Sequence, residues 1–322
     1  MKNITPFMMD LHKQLKLKRE IADNTASQYI RNLYNLNSSR AFTNLAWLKN
    51  IDSVELRLKE YAESTQRTML STIVSCLSTV NSKPSYKKIF AYWYNEMMER
   101  VANDRNKDTS EKTERQSENW LEWQTVKGHE DRLKQESMEV SKNKILSKND
   151  WDIILSYMVL SLYTMFPPRR NQDYQYMKVV KTNGQAKSDE VNYLVLEPKK
   201  FIFNKYKTAN VHGQQIFEIP KELMEVIDFY LKYHPSLKGK AVTSKTPSFN
   251  FLVFHDGSPL VSVNSITRIL NKIFGKNVGA TMLRHIYLSE KYDVKEMNED
   301  ADKMGHTSGL QHEYMKVDIP EI

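Results

Sequence analysis

Pro167-Pro168-Arg169-Arg170-Asn171-Gln172-Asp173-Tyr174 is the stretch on which the reading of this chain turns. Two successive prolines cannot continue a helix, because proline lacks the N–H and its ring crowds the preceding turn. They end an apolar helical run, Trp151–Met165, which Ser147-Lys148-Asn149-Asp150 caps at its start. They also present two arginines at the head of the next segment. Arg170 and Asp173 stand three apart, so the carboxylate is expected to brace the Arg170 guanidinium from one helical face. Arg169 is expected to be the more tolerant of the two. Downstream, Tyr193–Leu196, Lys200–Asn204 and Gln215–Ile219 read as short strands, with Lys205–Gly213 as the turn between the last two. Helical patterns then return over Lys221–Tyr233, Ser262–Phe274 and Ala280–Lys291. The fold class that follows is mainly α with a small antiparallel sheet.

Towards the N-terminus the pattern is wholly helical. Asp23-Asn24-Thr25 offers caps for Ala26–Leu36, and further helices are expected over Ser53–Tyr61, Thr65–Val80 and Tyr86–Val101, with Pro84 as a breaker. Residues 102–118 are polar and highly charged, and Trp120–Val140 is again helical in pattern. Three parts are therefore expected: a helical domain over 1–101, a linker and connecting helix over 102–140, and a second domain over 141–322.

The 322-residue chain has a net charge of +8. Two basic blocks, 1–98 and 141–322, flank an acidic middle, 99–140. Basic domains suit a polyanionic partner, since each Lys or Arg set on a phosphate releases a condensed counterion. The lone cysteine, Cys76, excludes an internal disulfide and is expected to pack within its helix. No targeting peptide is visible, and no stretch reaches the roughly 20 apolar residues of a membrane span. The expected setting is intracellular, wherever the target nucleic acid lies, whether host nucleus or cytoplasm or packaged in a virion.

Three further clusters carry chemistry. Asn204-Lys205-Tyr206-Lys207-Thr208 occupies the turn between two strands. In Thr281-Met282-Leu283-Arg284-His285 the arginine follows apolar residues in a helix, so it is expected to be partly buried and to need an anionic partner, a side chain or a phosphate. Met304-Gly305-His306-Thr307-Ser308 is followed by Tyr314, and Gly305 permits a tight turn that exposes His306. Each cluster alone is what an ordinary protein surface also shows.

Taken in order, the clusters resemble the tyrosine recombinase (integrase) superfamily of DNA breaking and rejoining enzymes. That family's pattern is an arginine followed three residues on by an acid, a hairpin lysine, His-x-x-Arg, Gly-His, and a tyrosine nucleophile. The matching residues are Arg170 with Asp173, Lys207, Thr281 with Arg284, Gly305-His306, and Tyr314. The resemblance covers 145–322 strongly and extends more weakly to the helical N-terminal domain, which is similar to the family's core-binding domain. One position departs from the pattern: threonine stands at 281, where the family usually has histidine, and a hydroxyl cannot act as a base near neutrality.

The resemblance implies catalytic roles for Tyr314, Arg170, Lys207, Arg284 and His306, with Asp173, Thr281 and His285 in support. It implies a site-specific recombinase that cleaves and rejoins double-stranded DNA through a 3′-phosphotyrosyl intermediate. It further implies a homo-tetramer on paired sites and neither metal nor cofactor. A virus or mobile element is the natural source of such an activity. The alternative, with the same chemistry, is a type IB topoisomerase or telomere resolvase. The apolar positions in Val317–Ile322 are expected to dock on a neighbouring copy.

Overall fold

The computed structural model describes residues 4–105, 112–260, 262, 264–290, 299–301 and 303–305. The chain divides into two compact units, Met1–Asp108 and Thr109–Ile322.

The first unit is all helical: α1 (Pro6–Arg19), α2 (Asp23–Leu36), α3 (Ile51–Leu58), α4 (Glu63–Ser78) and α5 (Pro84–Arg105). Thr5 caps α1, its hydroxyl accepting the Met8 N–H at 3.2 Å, and Pro6 occupies the first turn, where its missing N–H costs nothing. Pro84 behaves likewise: it opens α5, although the sequence suggests a breaker. Leu11, Leu15, Leu33, Leu70, Ile73 and Trp93 meet in one core. The Trp93 indole N–H donates to the Leu48 carbonyl at 3.1 Å. Cys76 is buried in α4, and burial pushes its thiol well above the ordinary range.

The second unit opens with α6 (Glu114–Asn119) and α7 (Trp123–Val140) and continues through α8 (Lys148–Thr164) and α9 (Asn171–Gln175). Strands β1 (Lys178–Thr182), β2 (Tyr193–Glu197) and β3 (Lys199–Phe203) follow. Next come α10 (Ala209–His212), β4 (Gln215–Glu218), α11 (Lys221–Lys232), β5 (Phe249–Asn250), α12 (Ser265–Phe274) and α13 (Ala280–Glu290). Helix α7 belongs to this unit, because Val126 and Leu133 are buried in the same core as Trp151, Tyr163 and Tyr230. The capping box on α8 is as the sequence suggests: Ser147 Oγ accepts the Asp150 N–H, and the Asp150 carboxylate accepts the Ser147 N–H.

The fold is mainly α with one small sheet, of order β4-β3-β2-β1-β5. The sheet is mixed. Three pairings are antiparallel, but β1 pairs with β2 in parallel. The sequence reading missed β1 and β5, because Lys178-Val179-Val180-Lys181-Thr182 is short and charged and β5 is only Phe249-Asn250. Val179, Leu194 and Phe201 lie in register and face the main core, while Val180, Val195 and Ile202 form a smaller cluster on the other face. Burial on both faces makes the strands apolar runs with little alternation.

Candidate active site

The Pro167–Tyr174 stretch sends its two arginines in different directions. Arg170 sits just outside α9 with extended backbone, φ −71° and ψ 147°. Its half-buried side chain reaches towards a cleft, and Nη1 donates to the Gly305 carbonyl at 3.3 Å. Arg169 turns inward and is wholly buried. The expected brace between Arg170 and Asp173 is therefore corrected. Asp173 pairs with Arg169, Nε to Oδ2 at 2.8 Å, with neither side chain exposed. The reason is local: both arginines precede α9, and it is the inward turn of Arg169, with Arg170 directed to the cleft, that brings the Arg169 guanidinium onto the carboxylate.

Lys207 is carried by the connection between β3 and β4, and alternation sorts its neighbours. Lys205 points outward to Glu190, Nζ to Oε2 at 2.6 Å. Tyr206 points inward, its hydroxyl donating to the Gly213 carbonyl at 2.8 Å. Lys207 is exposed and lines the cleft. Asn192 pins this turn: Oδ1 accepts the N–H groups of Asn204 and Lys205, each at 2.8 Å, and Nδ2 donates to the carbonyls of Lys205 and Asp173, each at 2.9 Å.

Helix α13 supplies the third group. Thr281 is exposed in its first turn, and Arg284 lies one turn on at 3% exposure, its Nε donating to the Pro168 carbonyl at 3.1 Å. His285 is buried in the same wall.

These groups open on one cleft of about 810 Å³. Arg170, Lys207, Thr281, Arg284 and His285 all line it, together with an amide- and hydroxyl-rich wall that includes Asn171, Thr267, Asn271 and Asn277. No Asp or Glu does. The nearest described acid in the network is Asp173, behind the wall. Burial pushes its carboxyl up from the ordinary value, while Arg169 first, then Arg284 and Arg170, pull it down. Among the described residues, this one carboxylate is set against three guanidiniums.

The sequence reading missed two participants. Arg169 was set aside in favour of its neighbour, although Arg169 and Asp173 have an equally legible spacing of four. Arg115 lines the cleft from α6, a segment assigned to the linker, and nothing in its sequence marks it. Hydrogen bonds tie α6 to the turn before α13: the Lys276 ammonium donates to the Glu118 carbonyl at 3.2 Å, and the Asn277 N–H to Asn119 Oδ1 at 2.9 Å.

His306, Tyr314 and the Val317–Ile322 tail lie outside the described residues. Gly305, which precedes His306 in sequence, is described. Its carbonyl accepts from Arg170 and from the Thr208 hydroxyl. Among the described residues, no group of three or more His, Cys, Asp or Glu could hold a metal ion, and no helix is long and apolar enough to cross a membrane.

No family model and no curated protein matches the chain. Among solved structures, one described as the crystal structure of XerA recombinase aligns over 97% of this chain and 93% of its own, at 10% identity and a TM-score of 0.38. A likeness that loose fixes neither fold nor chemistry.

Proposed function

We propose that the chain is a DNA strand transferase of the tyrosine recombinase type, acting on double-stranded DNA with Tyr314 as nucleophile. The observation that carries this reading is the cleft, whose described lining residues include Arg170, Lys207, Arg284 and Arg115 and no carboxylate. Such a site suits a phosphodiester, whose nonbridging oxygens accept bidentate guanidinium hydrogen bonds.

In the proposed reaction the Tyr314 phenolic oxygen attacks phosphorus, and the bond from phosphorus to the 5′ oxygen breaks. The phosphate remains on the 3′ end as an ester of the tyrosine, which conserves the bond for rejoining. The phenol's ordinary pKa is near 10, so its proton leaves to solvent at a cost that the surrounding cations reduce. Lys207 gives a proton to the departing 5′ oxygen. Arg170 and Arg284 stabilise the charge that builds on the nonbridging oxygens. His306 hydrogen-bonds the phosphate, and Thr281 at the rim donates to it without taking a proton. The reaction needs no metal or cofactor.

The reading extends to a homo-tetramer that recombines paired sites, as integration or excision of a viral or mobile genome requires. One observation favours a second reading, a type IB topoisomerase or telomere resolvase: Thr281, in the cleft, offers no imidazole base. Incubation with a randomised library of nicked duplexes tests the proposal. An SDS-resistant protein–DNA adduct is expected, and its absence with every duplex overturns the proposal. Relaxation of supercoiled DNA lacking paired sites would select the second reading.

A further inference from the structure

Arg169 touches three described segments that carry or adjoin proposed catalytic groups: the turn into α9, the β3–β4 hairpin and the 303–305 backbone. Its Nε is paired with Asp173 of α9 at 2.8 Å. Its Nη1 donates to Gln215 Oε1 of β4 at 3.0 Å and to the Lys303 carbonyl. The guanidinium carbon lies 3.8 Å from the Phe203 ring centroid and 5.1 Å from that of Tyr206, on the two sides of the Lys207 turn's entry. At Gly305, where φ is 71°, an added Cβ would stand 3.0 Å from Arg169 Nη2 and 3.2 Å from the Tyr206 ring. The backbone before His306 thus rests directly on this guanidinium.

Burying such a pair is a poor route to stability, since an apolar replacement of the same shape is often neutral or better. What a planar five-donor group offers, and an apolar residue does not, is fixed directions to several partners at once.

We propose that Arg169 is a positioning residue. It does not face the cleft. It locks the Arg170 turn, the Lys207 hairpin and the 303–305 backbone into one arrangement, and so holds Gly305 where Arg170 and Thr208 bind its carbonyl. The glycine at 305 follows from the same packing, because any side chain there would displace the guanidinium or the Tyr206 ring. The kinetic part of this inference rests on the phosphodiester reading of the cleft; the structural part does not.

Two full-length variants test it: Arg169→Lys, which keeps the charge but loses the fork, and Gln215→Met, which removes one acceptor and leaves the buried ion pair intact. Hydrogen exchange at the Lys303 and Gly305 amides is measured beside exchange in α8, with duplex-DNA affinity and the rate of adduct formation. In each variant that keeps the wild-type exchange of α8, the 303–305 amides are expected to exchange roughly tenfold faster, as in a local opening. Duplex affinity should stay within about twofold of wild type, while adduct formation slows by about 100-fold for Arg169→Lys, the scale of a small misplacement of reacting groups. Unchanged exchange at 303–305 in a folded variant overturns the proposal. So does a loss of affinity that accounts for all of the rate loss. Should Arg169→Lys fail to fold, Gln215→Met decides by the same exchange criterion. If the wild type forms no adduct, the proposed chemistry fails, yet the exchange result still decides whether Arg169 holds this backbone.

Discussion

At the scale of single residues, the neighbours Arg169 and Arg170 divide two kinds of work that their shared chemistry conceals. Arg170 and Arg284 reach the cleft, so Arg170→Ala or Arg284→Ala should lower the rate of adduct formation by roughly 10²–10³, the cost of losing a donor to a developing oxyanion. Lysine at either position should restore little, since a point charge lacks the bidentate fork. Arg169→Ala should act on the fold instead. It removes the direct partner of the buried Asp173 carboxylate, and denaturant unfolding should show a loss of about 3–5 kcal/mol. Equal effects of Arg169→Ala and Arg170→Ala on stability would contradict this division. The sequence makes both arginines candidates, because spacings of three and of four each place an acid within reach on a helix. What decides between them is which side chain turns inward ahead of α9, and local sequence signals do not resolve that.

The elements show where pattern reading succeeds and where it fails. Helices α8, α11, α12 and α13 are close to their expected spans: α11 and α12 bury one face and carry its period openly, while α8 and α13 are continuous apolar runs buried nearly all round. The parallel pairing of β1 with β2 was not legible, since strands buried on both faces lose their alternation and β5 is too short to register. Beneath this sheet lies His234, packed against Trp151, Tyr230 and Phe249, with Nε2 at 3.1 Å from the Phe251 carbonyl. Burial lowers its pKa from 6.5 to about 4. The folded state therefore holds this imidazole neutral where the unfolded chain would bind a proton. Its contribution to stability is fully present above about pH 6.5 and is lost as pH falls from there towards 4. Replacing His234 with Asn should flatten the decline of unfolding free energy in that window by up to about 1.4 kcal/mol per pH unit, the limit for one proton. An unaltered pH profile in the variant would show that His234 is not the group responsible.

For the whole molecule, the distribution of charge was legible and the limits of the second unit were not. The two basic blocks anticipate a polyanion, but a boundary at 141 would strip α7, with its buried Val126 and Leu133, from the core it belongs to. The packing of those residues against α8 is a long-range matter that a polar, charged sequence does not announce. Helix α6, tied to the turn before α13, brings Arg115 to the cleft. If both units grip phosphates, the full chain should bind duplex DNA with a steeper logarithmic dependence on salt than a fragment spanning 109–322, and Arg115→Ala should reduce the slope by about 1. Identical slopes for chain and fragment would remove the first unit from the interface. The central claim, that a phosphodiester in this cleft is passed to Tyr314, is tested most directly by nuclease digestion and peptide mass spectrometry of the protein trapped on nicked duplex DNA. The expected result is a nucleotide joined through its 3′ phosphate to Tyr314, absent when the Tyr314→Phe protein is treated alike. A nucleotide on any other residue, or an adduct that survives Tyr314→Phe, would contradict it.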